Sequence, residues 1–220
     1  MPYNLCLFDL DGMLTDSKVG ITKSFQYALS AFGIHEELEN LTKFIGPPLR
    51  ESFKGFYGFS NNETDIAIAK YREYYAETGL YENTVYPGIP DLLQKLKDRD
   101  KILAVATSKA KPFADKILAY FNIDGFFSYV AGDEMDGSLT RGGKHDIIQK
   151  AINALDCTRE MSPVMIGDRM YDIVGAQKVG IDSIGVLWGY GTRDELEEAR
   201  ATWIVESTDE LYELIVGGRP

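Results

Sequence analysis

The chain has 220 residues, of which 45% are hydrophobic, 12% aromatic and 26% charged. That balance excludes a disordered chain, and a chain of this length buries about 70% of its unfolded surface without a disulfide or metal staple. Lys and Arg total 23 against 34 Asp and Glu, a net charge of −11, which argues against nucleic acid and anionic membranes as partners and obliges any anionic substrate to find local cations.

In chain order, the apolar run from Asn4 to Phe8 ends at Asp9, Asp11 and Gly12 and reads as a fully buried strand. From Thr15 to Tyr86 the patterns are helical, with no convincing strand. Ile21, Phe25, Ala28 and Phe32 share one face, Leu49, Phe53 and Phe56 another, and Ala67, Tyr71, Tyr74 and Tyr75 a third, with Gly79 placed to cap the last helix. The three tyrosines read as helix packing rather than a stacking platform. Pro87-Gly88 marks a turn, and Pro90 suits the first turn of a helix carrying Leu92, Leu93 and Leu96.

Strand and helix then alternate. Strands are expected at Ile102–Ala106, Phe126–Ala131, Pro163–Ile166 and Ile181–Trp188, with Trp203–Val205 as an edge strand. Helices are expected around Phe113–Phe121, Asp146–Leu155, Asp172–Gly180 and Leu211–Ile215. Such alternation predicts an α/β fold with a parallel sheet covered on both faces, and the helical stretch is an insertion over the strand ends.

Cys6 and Cys157 lie in no metal-ligand or CxxC spacing, which fits a reducing compartment. No stretch reaches the length of a membrane span, and the first residues lack a basic region and a cleavage site. A cytoplasmic location is expected.

Each apolar run ends in polar groups: Asp9 and Asp11, then Thr107-Ser108, then Asp168 and Asp172. Any one Asp after a strand is explained by a turn or helix cap. Three matched ends are not, because the carboxyl ends of parallel strands gather along one edge, where ligands bind. Asp9 and Asp11 are two apart, so in extended backbone their side chains point the same way. Two such carboxylates call for a cation between them or for protonation of one. Mg²⁺ suits the set, with Asp168 as a further ligand. One carboxylate then attacks phosphorus and the other exchanges protons. The Thr107 hydroxyl can hold the phosphoryl oxygens and Lys144 can neutralise them, which would supply the local cation that the acidic surface requires; a solvated lysine at a helix start is the alternative reading of Lys144.

These residues resemble the haloacid dehalogenase superfamily, in its phosphoglycolate-phosphatase-like branch with a helical cap. The resemblance rests on FDLDGMLTDS at 8–17, ATS at 106–108, Lys144 and GDRMYD at 167–172, and it spans the chain in the expected order. It implies a Rossmann-like parallel sheet core, 1–15 and 86–220, with an inserted α-helical cap domain, 16–85. It implies Asp9 as nucleophile and metal ligand, and Asp11 as acid/base with its backbone carbonyl on the metal. Gly12, Thr107, Ser108 and Lys144 would bind phosphate, and Asp168 and Asp172 would bind Mg²⁺. Arg50, in the cap loop FIGPPLR, is the candidate clamp for a second anionic group on the substrate; a surface arginine is the equal alternative.

Met13 departs from the family's usual threonine. Asp11 points to a phosphatase or phosphomutase rather than a dehalogenase, a transport ATPase or a phosphonatase. The expected function is hydrolysis of a small phosphorylated metabolite (phosphoglycolate-like, a nucleoside monophosphate or a sugar phosphate) through an aspartyl-phosphate, by a monomer or homodimer. The alternatives are a β-phosphoglucomutase-like phosphomutase and a pyrophosphatase. A phospho-accepting signalling domain is disfavoured by the order of the acidic residues and lysine. His35 and His145 suggest no triad, and a surface role is expected for His145.

Overall fold

The computed structural model describes residues 3–139, 143–156 and 161–217. Cys157 lies outside them. The chain begins with β1 (Leu5–Phe8), a short β2 (Thr15–Asp16), α1 (Lys18–Ser30), a 3₁₀ segment at Leu38–Phe44, α2 (Leu49–Tyr57), α3 (Asn61–Tyr74) and a π-helical turn at Tyr75–Gly79. It continues through β3 (Thr84–Val85), α4 (Ile89–Lys97), β4 (Ile102–Ala110), α5 (Lys111–Tyr120), β5 (Tyr129–Asp133) and α6 (His145–Ala154). It closes with β6 (Pro163–Gly167), α7 (Met170–Val179), β7 (Asp182–Val186), α8 (Arg193–Glu198), β8 (Trp203–Val205) and α9 (Thr208–Gly217). Two compact units result, one of residues 1–14 and 85–220, the other of residues 15–84.

The first unit is a six-stranded parallel sheet in the order β5-β4-β1-β6-β7-β8. Every residue of β1 is buried, as a central strand covered on both faces requires. Phe8 stands level with Val105 on one side and Ile166 on the other, so β1 and β6 end almost level while β4 runs on beside them to Ala110. Strand order reverses about β1, which makes this edge the topological switch point. Leu5, Leu7, Ala104, Ala106 and Met165 meet Ile147, Ile148 and Ala151 of α6 and Ala176 of α7 in one cluster. On α4, the apolar residues Ile89, Leu92, Leu93 and Leu96 are all buried.

The helical unit has an aromatic core. The Phe25 ring lies 4.7 Å from Phe44, 5.0 Å from Phe53 and 5.0 Å from Tyr71. Ser60 and Glu63 close a capping box at the start of α3. Tyr71 and Tyr75 are buried and stacked, so the tyrosines do pack the helices.

Several local expectations are corrected. Gly79 is no left-handed cap: it lies inside the π turn, and its carbonyl oxygen comes so near α1 that a Cβ on Gly20 would stand 1.9 Å away. The stretch read as strandless holds both strands of a two-stranded ribbon, β2 with β3. Two residues a strand give no periodicity to read. Phe126 belongs to a 3₁₀ turn at Asp124–Phe126, so β5 starts later than its apolar run. Phe32 lies beyond the end of α1. Among the described residues no helix is long and apolar enough to cross a membrane.

Candidate active site

The site is built at the ends of β1 and β6 and along the last residues of β4. The Asp9 amide donates to the Ile166 carbonyl at 2.9 Å, which carries the β1 register one residue further and sets Asp9 beside the end of β6. Gly167-Asp168 follows, and Asp172 sits in the first turn of α7, where its Oδ2 accepts from the Arg169 amide at 3.1 Å. Lys144 stands at the start of α6.

Carboxylate oxygens of Asp9, Asp168 and Asp172 lie within 4.8 Å of one another, and all three residues are buried. Lys144 Nζ reaches Asp9 Oδ1 at 2.8 Å and also contacts Asp172 Oδ1. Asp168 Oδ2 accepts from the Tyr190 amide at 2.8 Å, while its Oδ1 is buried without a hydrogen-bond partner. Three enclosed carboxylates thus face one ammonium.

Burial pushes the Asp9 carboxyl up to about 6, against the pull of Lys144. Burial, with Asp172 and Asp9 nearby, carries Asp168 well above the carboxylate range. For Lys144 burial works downward, but Asp172 and Asp9 more than offset it and hold the ammonium above its ordinary range. A donor set of hard oxygens, one of them orphaned, with excess negative charge fits a divalent cation such as Mg²⁺ or Ca²⁺.

The grouping differs from the pair inferred from spacing. The Asp11 side chain is not in the three-carboxylate set. Its Oδ2 is 2.9 Å from Lys109 Nζ instead, because β1 ends at Phe8 and the backbone turns at Gly12, with φ +89°, so extended geometry no longer applies. Lys109 is the residue that the sequence argument missed. Its one signal was position, as the cation directly after Thr107-Ser108.

Thr107 is buried, and its Oγ1 accepts from the Lys109 amide at 3.2 Å. Ser108 is half-buried beside it. Gly12 is also buried, and Met13 is fully buried, its carbonyl accepting from Trp188 Nε1 at 3.1 Å, so the departure from threonine is a matter of packing. His145 is partly exposed, with Nδ1 enclosed and unpartnered. Arg50 lies in the helical unit and pairs with Asp65 across α2 and α3, both side chains being substantially exposed.

An open parallel sheet whose adjoining strand ends carry buried aspartates, backed by a lysine at a helix start, defines the haloacid dehalogenase type of α/β fold. Residues 6–186 match the family model described as haloacid dehalogenase-like hydrolase, and the chain belongs to that family. It is similar to a 5'-nucleotidase of Pseudomonas aeruginosa, 45% identical over 201 residues, covering 91% of this chain and 90% of the relative. It is 40% identical over 214 residues to the tyrosine-protein kinase PtkA of Mycobacterium tuberculosis, covering 96% of this chain and 72% of that one. A crystal structure of a predicted phosphatase from Clostridium acetobutylicum superposes with a TM-score of 0.93 at 45% identity, covering 98% of this chain and 99% of the other.

Proposed function

We propose that the chain is a Mg²⁺-dependent phosphatase that hydrolyses a small phosphate monoester through an aspartyl-phosphate on Asp9. The observation that carries this reading is the division of Asp9 and Asp11, both just past the end of β1, between two different lysines, Lys144 at the start of α6 and Lys109 near the end of β4. One carboxylate is thereby set apart for attack and the other for proton exchange.

Asp9, Asp168 and Asp172, with the Asp11 backbone carbonyl, would hold the ion. When bound, Mg²⁺ offsets the carboxylate charge and draws a phosphoryl oxygen into place. The chain's own groups do the rest. An Asp9 carboxylate oxygen attacks phosphorus while the bond to the leaving oxygen breaks, and Asp11 gives that oxygen its proton. Asp11 then takes a proton from water, whose oxygen attacks the acyl phosphate and frees Asp9 and inorganic phosphate. The Thr107 hydroxyl, with Ser108 and the Gly12 backbone, holds the phosphoryl oxygens, and Lys144 balances the charge gathering on them.

In this reading the helical unit is a cap that selects the substrate, and Arg50 exchanges Asp65 for a second anionic group. The substrate class is a small phosphorylated metabolite: phosphoglycolate-like, a nucleoside monophosphate or a sugar phosphate. A 5'-nucleotidase among the relatives supports the nucleotide member of that class.

The test is phosphate release from a metabolite panel that includes pyrophosphate, with Mg²⁺ and with chelator, for wild type and Asp9→Asn. Release is expected only with Mg²⁺, and a loss of about 10³-fold or more in the variant. Activity that survives chelation removes the metal from the account, and an active Asp9→Asn removes the covalent route. Isomerisation of a sugar phosphate without phosphate release assigns a mutase instead.

A further inference from the structure

Lys109 is brought to Asp11 by an irregularity in the sheet. The pairing of β4 with β5 runs Ala106 to Ala131 and resumes at Ala110 to Asp133. Three residues, Thr107, Ser108 and Lys109, therefore stand opposite the single residue Gly132. A bulge of this kind re-aims side chains and recurs beside active sites. Gly132 permits it, since a Cβ there would meet the Lys111 Cα at 2.7 Å and the Lys109 carbonyl oxygen at 2.9 Å.

The ion pair formed is enclosed, with side-chain exposures of 7% for Lys109 and 13% for Asp11. Burying both charges is a poor route to stability, because desolvation offsets their attraction. It is a good way to fix an orientation. Asp11 Oδ2 is taken by Lys109, whereas Asp11 Oδ1 is buried with no hydrogen-bond partner. One oxygen is anchored and the other is free.

We infer that Lys109 is the positioning residue for Asp11: it holds Oδ2 and so presents Oδ1 to the leaving-group oxygen. This rests on the acid/base reading of Asp11 given above. The proton passes from Asp11 Oδ1 to the leaving oxygen as the P–O bond breaks, and Lys109 keeps its protons throughout.

Leaving groups of different basicity test it. The probes are aryl phosphates from 4-nitrophenyl, which departs without a proton, to 4-methoxyphenyl, which depends on one. The readout is the slope of log kcat/KM against leaving-group pKa, in the Mg²⁺-loaded enzyme. Lys109→Met is expected to lose about tenfold or more extra activity at the 4-methoxyphenyl end relative to the 4-nitrophenyl end. Lys109→Arg restores the wild-type slope, and Asp11→Asn/Lys109→Met is no steeper than Asp11→Asn. Lys109→Gln is read in the same way where Lys109→Met fails to fold.

A loss equal across the series, or no loss, overturns the role of Lys109 while leaving Asp11 in place. A flat series for Asp11→Asn itself overturns the acid/base reading beneath it. Wild-type enzyme that releases phosphate from none of the series removes both.

Discussion

The α-carbon of Gly12 faces the carboxylate of Asp168, so that a Cβ on the glycine would stand 2.2 Å from Asp168 Oδ2. The loop after β1 and the end of β6 therefore share one volume. Gly189 closes the same carboxylate from another side, its own missing Cβ lying 2.3 Å from the Asp168 Cβ. Asp168 is held by what its neighbours lack.

Gly12→Ala is accordingly expected to cost more than a positive φ alone. Gly33 supplies the comparison, with φ +70° but nothing within 4 Å of a Cβ. Gly33→Ala should lose about 1 kcal/mol and Gly12→Ala at least about 2 kcal/mol in urea unfolding. Equal losses would mean that Asp168 yields without cost.

Asp168→Asn separates the charge of the site from its packing. Burial and the neighbouring carboxylates disfavour the ionised form of Asp168, so a neutral amide should relieve the metal-free fold. In chelator the variant is expected to melt at or above the wild-type temperature. On adding Mg²⁺ the wild type should gain stability and the variant should gain little. Thermal unfolding with and without the ion reads both, and equal Mg²⁺ shifts would exclude Asp168 as a ligand.

Phe25 is the hub of the helical unit, touching Phe44, Phe53 and Tyr71. Phe25→Ala should cost about 3–5 kcal/mol. Hydrogen exchange locates the effect, with faster exchange expected through α1, α2 and α3. Unchanged protection there would show that the aromatic cluster repacks.

Cys6 lies in β1, where burial pushes its thiol up to about 12, against the pull of Lys101. Because the folded-state value is raised, the folded chain keeps a proton that the unfolded chain loses near 9. The thiol's contribution is intact below that value and falls by about 1.4 kcal/mol per pH unit above it. Urea midpoints between pH 9 and 11 should therefore drop more steeply for wild type than for Cys6→Ala. Parallel curves would mean that the thiol titrates alike in both states.

Much of this protein is written in short-range pattern. The runs at Leu5–Phe8, Ile102–Ala106 and Pro163–Ile166 are apolar throughout, as strands covered on both faces must be, and each is followed by the polar residues that line the site. Order along the chain was enough to place Asp9, Asp168, Asp172 and Lys144 together, because parallel strands put their carboxyl ends on one edge. The helical insertion was legible from its 3.6-residue period.

What pattern could not reach were relations that depend on a single departure from regular backbone. Alternation put Asp9 and Asp11 on one side, but the strand stops at Phe8 and the turn at Gly12 sends Asp11 to its own lysine. The bulge opposite Gly132 that aims Lys109, the ribbon of β2 with β3, and the Gly79 carbonyl lodged against Gly20 all arise from contacts between segments distant in sequence. Hydrophobic period reports which face of an element is buried. Which charge meets which is decided only when the backbones have packed.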